Sequence, residues 1–236
     1  MGKNIITYTR KKEKNMLVKE KTVLKNPDAF LAYAEQKKGE LDRCGNGSRY
    51  TPQDASGTAA EILCAAESAG CYDGSATPVV KIVNAFGIDL RRTSNMLEGM
   101  SGVIYAGGRT KDAYGSDAVI FTDSTEPYGH QRFVAAHELG HYLFDYIGSP
   151  ECLDNSRTFA ENYPRKDHSS EKESRADRFA AALLMPADKF RERYNAAMGY
   201  GGGSRVYTIK YLARYFQVKE SSVEKRIYEV LYDGGY

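Results

Sequence analysis

Tryptophan is absent, and 236 residues contain only four histidines and four cysteines. The cysteines (Cys44, Cys64, Cys71 and Cys152) form no C-x-x-C pair, which argues against a zinc knuckle or a disulfide framework. A Cys64–Cys71 bridge would have to join consecutive helical turns, an unfavourable spacing. Free thiols fit a reducing compartment, so a cytoplasmic location is expected. No apolar run approaches the ~20 residues that span a membrane. Met1–Ile6 lacks an apolar h-region, so no secretory signal is expected. Gly2 has no Ser or Thr at position 6 to support myristoylation. The formal charge of +2 is too small for an electrostatic footprint on nucleic acid. With 42% hydrophobic and 27% charged residues, the chain can bury one sizeable core plus an appendage.

Because histidine is scarce, it matters that two of the four fall in His137-Glu138-Leu139-Gly140-His141. This is an H-E-x-x-H motif on a segment patterned as helix. Residues four apart lie on one helix face, so both imidazoles can address one metal ion. Glu138 sits where its carboxylate can reach an activated water, which makes it the candidate general base. The flanks Phe133, Val134, Ala136, Leu139, Tyr142, Leu143 and Phe144 are apolar, so the helix is expected to be buried rather than a solvated surface helix.

A catalytic zinc site usually takes three protein ligands and leaves one position open. The next helical segment starts at Ser169-Ser170 and is stopped by Pro186. Ser170 and Glu173 fit a capping box, the simplest role for Glu173. Helical phase offers another: Glu173, Asp177, Ala180, Ala181 and Leu184 share one face, and a carboxylate on a buried face needs a partner. Glu173 is therefore the preferred third ligand, with Glu171, two residues out of phase, as its competitor. Asp177 is placed to hydrogen-bond the free ring nitrogen of a ligating histidine.

The two segments Arg132-Phe133-Val134-Ala135-Ala136-His137-Glu138-Leu139-Gly140-His141 and Glu173-Ser174-Arg175-Ala176-Asp177-Arg178-Phe179-Ala180-Ala181-Ala182-Leu183-Leu184-Met185-Pro186 resemble the ImmA/IrrE family of metallopeptidases. The resemblance implies a zinc-dependent protease of gluzincin-like geometry. It matches His137, His141 and Glu173 to the metal ligands and Glu138 to the general base. The implied cofactor is Zn²⁺, although Mn²⁺ can occupy such a site. It also implies a protein substrate, commonly a DNA-binding repressor or an antitoxin-like partner. The rival reading is a metal-stabilised, non-catalytic regulator that binds DNA or a protein through its C-terminal helices.

The expected fold class is α+β: a small zincin-like domain with a short, mostly antiparallel sheet packed on the active-site helix, plus a C-terminal helical region. Residues 1–55 read as a basic, helical extension and 56–236 as the metallopeptidase domain. Residues 1–25 are polar and lysine-rich, the pattern of an arm. Asn26-Pro27-Asp28 opens a helix through about Leu41, and Cys44–Ser48 reads as a loop. Further helices are expected over Thr58–Ala69 and Pro78–Phe86, and strands over Ile88–Arg91, Gly102–Ala106 and Ala118–Thr122. By fold analogy, the last strand is assigned the edge that holds substrate by β-augmentation, against a plain hairpin role.

Ile147–His168 is turn-rich and reads as a loop beside the site. Within it, His168 and Tyr163 are candidates for polarising a scissile carbonyl. The C-terminal region, about 204–236, has a helix-turn-helix-like pattern at Thr208–Phe216 and Ser221–Tyr232. Glu220, Glu224 and Glu229 offset Lys225 and Arg226, so direct nucleic-acid binding is not expected.

Overall fold

Thr51 Oγ1 accepts the Asp54 N–H at 3.2 Å, and Asp54 Oδ2 accepts the Thr51 N–H at 2.7 Å. With Pro52 in the first turn, this capping box starts a helix well ahead of the expected Thr58. The computed structural model describes residues 26–44, 51–149, 152, 158–164 and 170–232. The helices are α1 (Pro27–Cys44), α2 (Pro52–Ser68), α3 (Val79–Ala85), α4 (Thr110–Tyr114), α5 (Tyr128–His141), α6 (Glu171–Leu184), α7 (Ala187–Tyr200), α8 (Arg205–Phe216) and α9 (Glu220–Leu231). The strands are β1 (Ile88–Thr93), β2 (Met100–Gly107), β3 (Ala118–Asp123) and β4 (Thr158–Pro164). The expected arm at 1–25, the Gly45–Ser48 stretch and His168 lie outside the described residues, as does the Tyr163 side chain.

The fold is α+β, and the described residues form one four-stranded sheet in the order β1-β3-β2-β4. β1 runs parallel to β3, while β3–β2 and β2–β4 are antiparallel, so the sheet is mixed but mostly antiparallel. Two expectations need correction. First, β3 is not an edge: β1 and β2 occupy both its sides, and the edges are β1 and β4. Strand order is set by long-range pairing, which alternation within a strand does not report. Second, Thr158–Pro164 is a strand, not part of a loop. Phe159 is buried against Tyr146, and Glu161 and Phe159 alternate with exposed Thr158 and Ala160. A half-buried edge strand this short carries little hydrophobic signal.

The core gathers Phe30, Ala34 and Leu41 from α1, Ile62 and Ala66 from α2, and Ile104 and Ile120 from the sheet. Leu139, Phe179 and Leu183 join them from α5 and α6. Cys64 and Cys71 are free thiols. Burial of α5 is nearly complete from Gln131 to His141. Buried Arg132 anchors its start, donating from Nη2 to Thr77 O at 2.8 Å and from Nε to Gln217 O at 3.1 Å. At the C-terminus, Val223, Ile227 and Val230 pack inward. Arg226 is buried too, donating to Met185 O at 3.0 Å, so it is not an exposed basic residue of α9. Among the described residues, no helix is long and apolar enough to cross a membrane.

Gly102 fixes how closely the sheet approaches α5. A Cβ built there would lie 2.1 Å from Val134 Cγ1 and 3.4 Å from Glu138 Oε1. Overpacking of this kind costs ~1–3 kcal/mol, so Gly102→Ala should lower the denaturation midpoint. An unchanged midpoint would mean that β2 does not press on α5 as described.

Candidate metal centre

His137 and His141 are fully buried and one helical turn apart, with ring centroids 4.7 Å apart and Nε2 atoms 2.9 Å apart. A carboxylate holds the other nitrogen of each ring. Asp177 Oδ1 lies 2.9 Å from His137 Nδ1, and Asp145 Oδ2 lies 2.7 Å from His141 Nδ1. When each Nδ1–H donates to its carboxylate, both Nε2 lone pairs converge on one point. Two lone pairs at that separation repel unless a cation sits between them, whether a proton or a metal.

Glu173 completes the group from α6. Its Oε2 is 3.3 Å from His137 Nε2 and its Oε1 is 3.3 Å from His141 Nε2. Ser170 caps α6 by accepting the Glu173 N–H at 3.1 Å, while the Glu173 carboxylate lies at the histidines. Glu171 is exposed. His137, His141 and Glu173 present donor atoms all within 4.8 Å of one another and can hold a metal ion. Two imidazole nitrogens and a carboxylate are a donor set that suits zinc. Gly140 lets α6 come this close, because a Cβ there would lie 3.2 Å from Ala176 Cα.

Two further residues of the site, Asp145 and Arg175, carry no sequence signal of their own. The His141–Asp145 spacing of one helical turn was visible, but nothing marked Arg175, on another helix, as its partner. Arg175 Nη2 donates to Asp145 Oδ1, and its guanidinium lies over the Phe144 ring, 5.8 Å from the centroid. After His141 the helix widens into a π-turn over Tyr142–Tyr146, which carries Asp145.

Glu138 is buried, and neither of its carboxylate oxygens has a hydrogen-bond partner among the described residues. Burial pushes its pKa up to about 7, against the pull of His141 and His137. Burial alone would lower His141, but hydrogen bonds to Asp145 and Glu173 outweigh it and raise the imidazole to about 10. Burial likewise opposes ionised Glu173, yet its bonds to His137 and His141 hold it well below the usual carboxylate range. Metal-free protein at pH 7 therefore keeps a proton on His141, whereas metal ligation needs neutral imidazole. Zinc uptake should release that proton, and affinity should rise with pH towards 10, by about tenfold per unit for each proton displaced. Calorimetric titration in buffers of different ionisation heat measures the release. Zero release at pH 7 would contradict the His141 assignment.

Residues 83–228 match the IrrE N-terminal-like domain, a peptidase family, and so cover more than half of the chain. The chain belongs to this family. No curated relative matches it. Among solved structures, it is similar to a Mycobacterium tuberculosis transcriptional regulator at 16% identity and a TM-score of 0.45. That similarity covers 85% of this chain and 52% of the regulator, so the chain spans about half of that protein's length.

Proposed function

We propose that this chain is a zinc-dependent endopeptidase that cuts a regulatory protein partner, such as a helix-turn-helix repressor or an antitoxin. One observation carries the reading: the buried Glu138 carboxylate, with no hydrogen-bond partner among the described residues, lies on the same helical turn as two imidazoles aimed at one point. His137, His141 and Glu173 would hold Zn²⁺, and Asp177 and Asp145 orient the rings. Zinc bound there supplies a Lewis acid that polarises a scissile carbonyl and makes water nucleophilic at neutral pH. Glu138 takes the proton of the attacking water on a carboxylate oxygen and passes it to the leaving amine.

The outer edge of β4 is the place for the substrate backbone. It pairs with no strand among the described residues, and Glu161 of this strand is close enough to raise the Glu138 pKa. The partner class is supported by the family alone. Co-expression with DNA-binding proteins encoded beside this one, followed by intact-mass analysis, tests it. Wild type should yield two fragments of one partner and Glu138→Gln none. Equal fragmentation by both would refute the proposal.

A further inference from the structure

Helix α8 turns Ile209, Leu212, Ala213 and Phe216 into the core. Its other side carries two parallel rows of side chains at the four-residue helical repeat. Val206, Lys210 and Arg214 form one row and are all exposed, Val206 by 64%. Tyr207, Tyr211 and Tyr215 form the other row and are half-buried. Their ring centroids are 6.3 Å apart at each step, with interplanar angles of 21° and 14°.

The charge on this face is unbalanced. α8 contains Arg205, Lys210 and Arg214 and no carboxylate. None of these three cations is in an ion pair among the described residues. Both carboxylates of the neighbouring α7 are matched within that helix. Asp188 lies 3.2 Å from Arg191 Nη1, and Glu192 lies 2.9 Å from Lys189 Nζ. On α9, Glu229 pairs with Arg226 at 3.0 Å, while Glu220 and Glu224 are exposed and pair with none of the three cations. Asp73, in the loop that Tyr215 reaches through Gly74 O, accepts the Ser75 N–H at 2.9 Å.

The tyrosines supply apolar surface rather than open ring faces. Tyr211 is stacked between Tyr207 and Tyr215. Arg193 lies over the Tyr215 ring, 4.6 Å from its centroid, and Phe216 meets that ring edge to face at 4.9 Å. Nucleobases stack on open aromatic faces, so this ladder suits a protein ligand better than a nucleic acid. The formal charge of +2 for the whole chain points the same way.

We propose that this face of α8 docks an acidic amphipathic helix of a partner protein. Lys210 and Arg214 stand one helical turn apart, which matches glutamates at i and i+4 of the incoming helix. Apolar residues beside those glutamates then lie on Val206, Tyr207 and Tyr211. Charge complementarity sets the sign of the partner, and the tyrosine row adds apolar contact area. The inference does not rest on the peptidase reading, since none of these residues belongs to the metal-binding group.

The test titrates full-length protein into a fluorescein-labelled helical peptide of about 20 residues, with Glu at every fourth position beside Leu, and follows anisotropy. The same peptide with Lys for Glu, and an oligothymidine of about 12 nucleotides, are the comparison probes. Wild type should bind the Glu peptide at least about tenfold tighter than the Lys peptide. Lys210→Glu combined with Arg214→Glu should reverse that order, with an unchanged denaturation midpoint because both side chains are exposed. The milder pair, Lys210→Gln with Arg214→Gln, should erase the preference. Lys225→Glu, exposed on α9, should keep the wild-type order. No binding of the Glu peptide, equal binding of the Glu and Lys peptides by wild type, or a reversal by Lys225→Glu would overturn the proposal. Tighter binding of the oligothymidine than of the Glu peptide would overturn it too, and assign the face to nucleic acid.

Discussion

Zinc-loaded Glu138→Gln protein is expected to keep its metal and to lose peptide hydrolysis by about 10²–10⁴-fold. The side chain makes no hydrogen bond among the described residues and is not one of the three clustered donors. Replacing it with an isosteric amide should therefore leave the metal group intact. Folding should not suffer either, because a buried carboxyl with a raised pKa costs more to hold ionised than a neutral amide. The split between metal content and turnover separates a base from a ligand. Hydrolysis at the wild-type rate with one zinc per chain would exclude Glu138 as the proton carrier.

Glu173→Ala should have the opposite signature, with loss of the metal itself. Groups behind a ligand typically cost 10–100-fold in affinity when removed, so losing the ligand should cost more than about 100-fold. It should also leave His137 and His141 facing each other without the carboxylate that lies 3.3 Å from each. Glu171→Ala, on an exposed position one turn-fraction away, should change nothing. Competition against a chromogenic chelator measures all three proteins. Undiminished zinc affinity in Glu173→Ala with a loss in Glu171→Ala would move the ligand to Glu171.

The legible part of the site was the part written locally. His137, Glu138 and His141 lie within five residues, and helical phase alone put Glu173 and Asp177 on one face. The structure brings these residues together. Asp145 was legible only as a spacing, because its role depends on Arg175, thirty residues away and on another helix. The α2 start was written in Thr51-Pro52-Gln53-Asp54 but masked by the weak apolar content of the first turn. β4 and the strand order were the least legible. Edge position is a property of pairing between distant segments, and Phe159 and Glu161 give an alternation too short to distinguish from a loop.

The most direct test of the account is N-terminal profiling of a lysate from the source cells after incubation with metal-free protein, zinc-loaded wild type and zinc-loaded Glu138→Gln. New protein N-termini are expected with zinc-loaded wild type and with neither of the other two. The same N-termini in all three samples, or none in any, would contradict it.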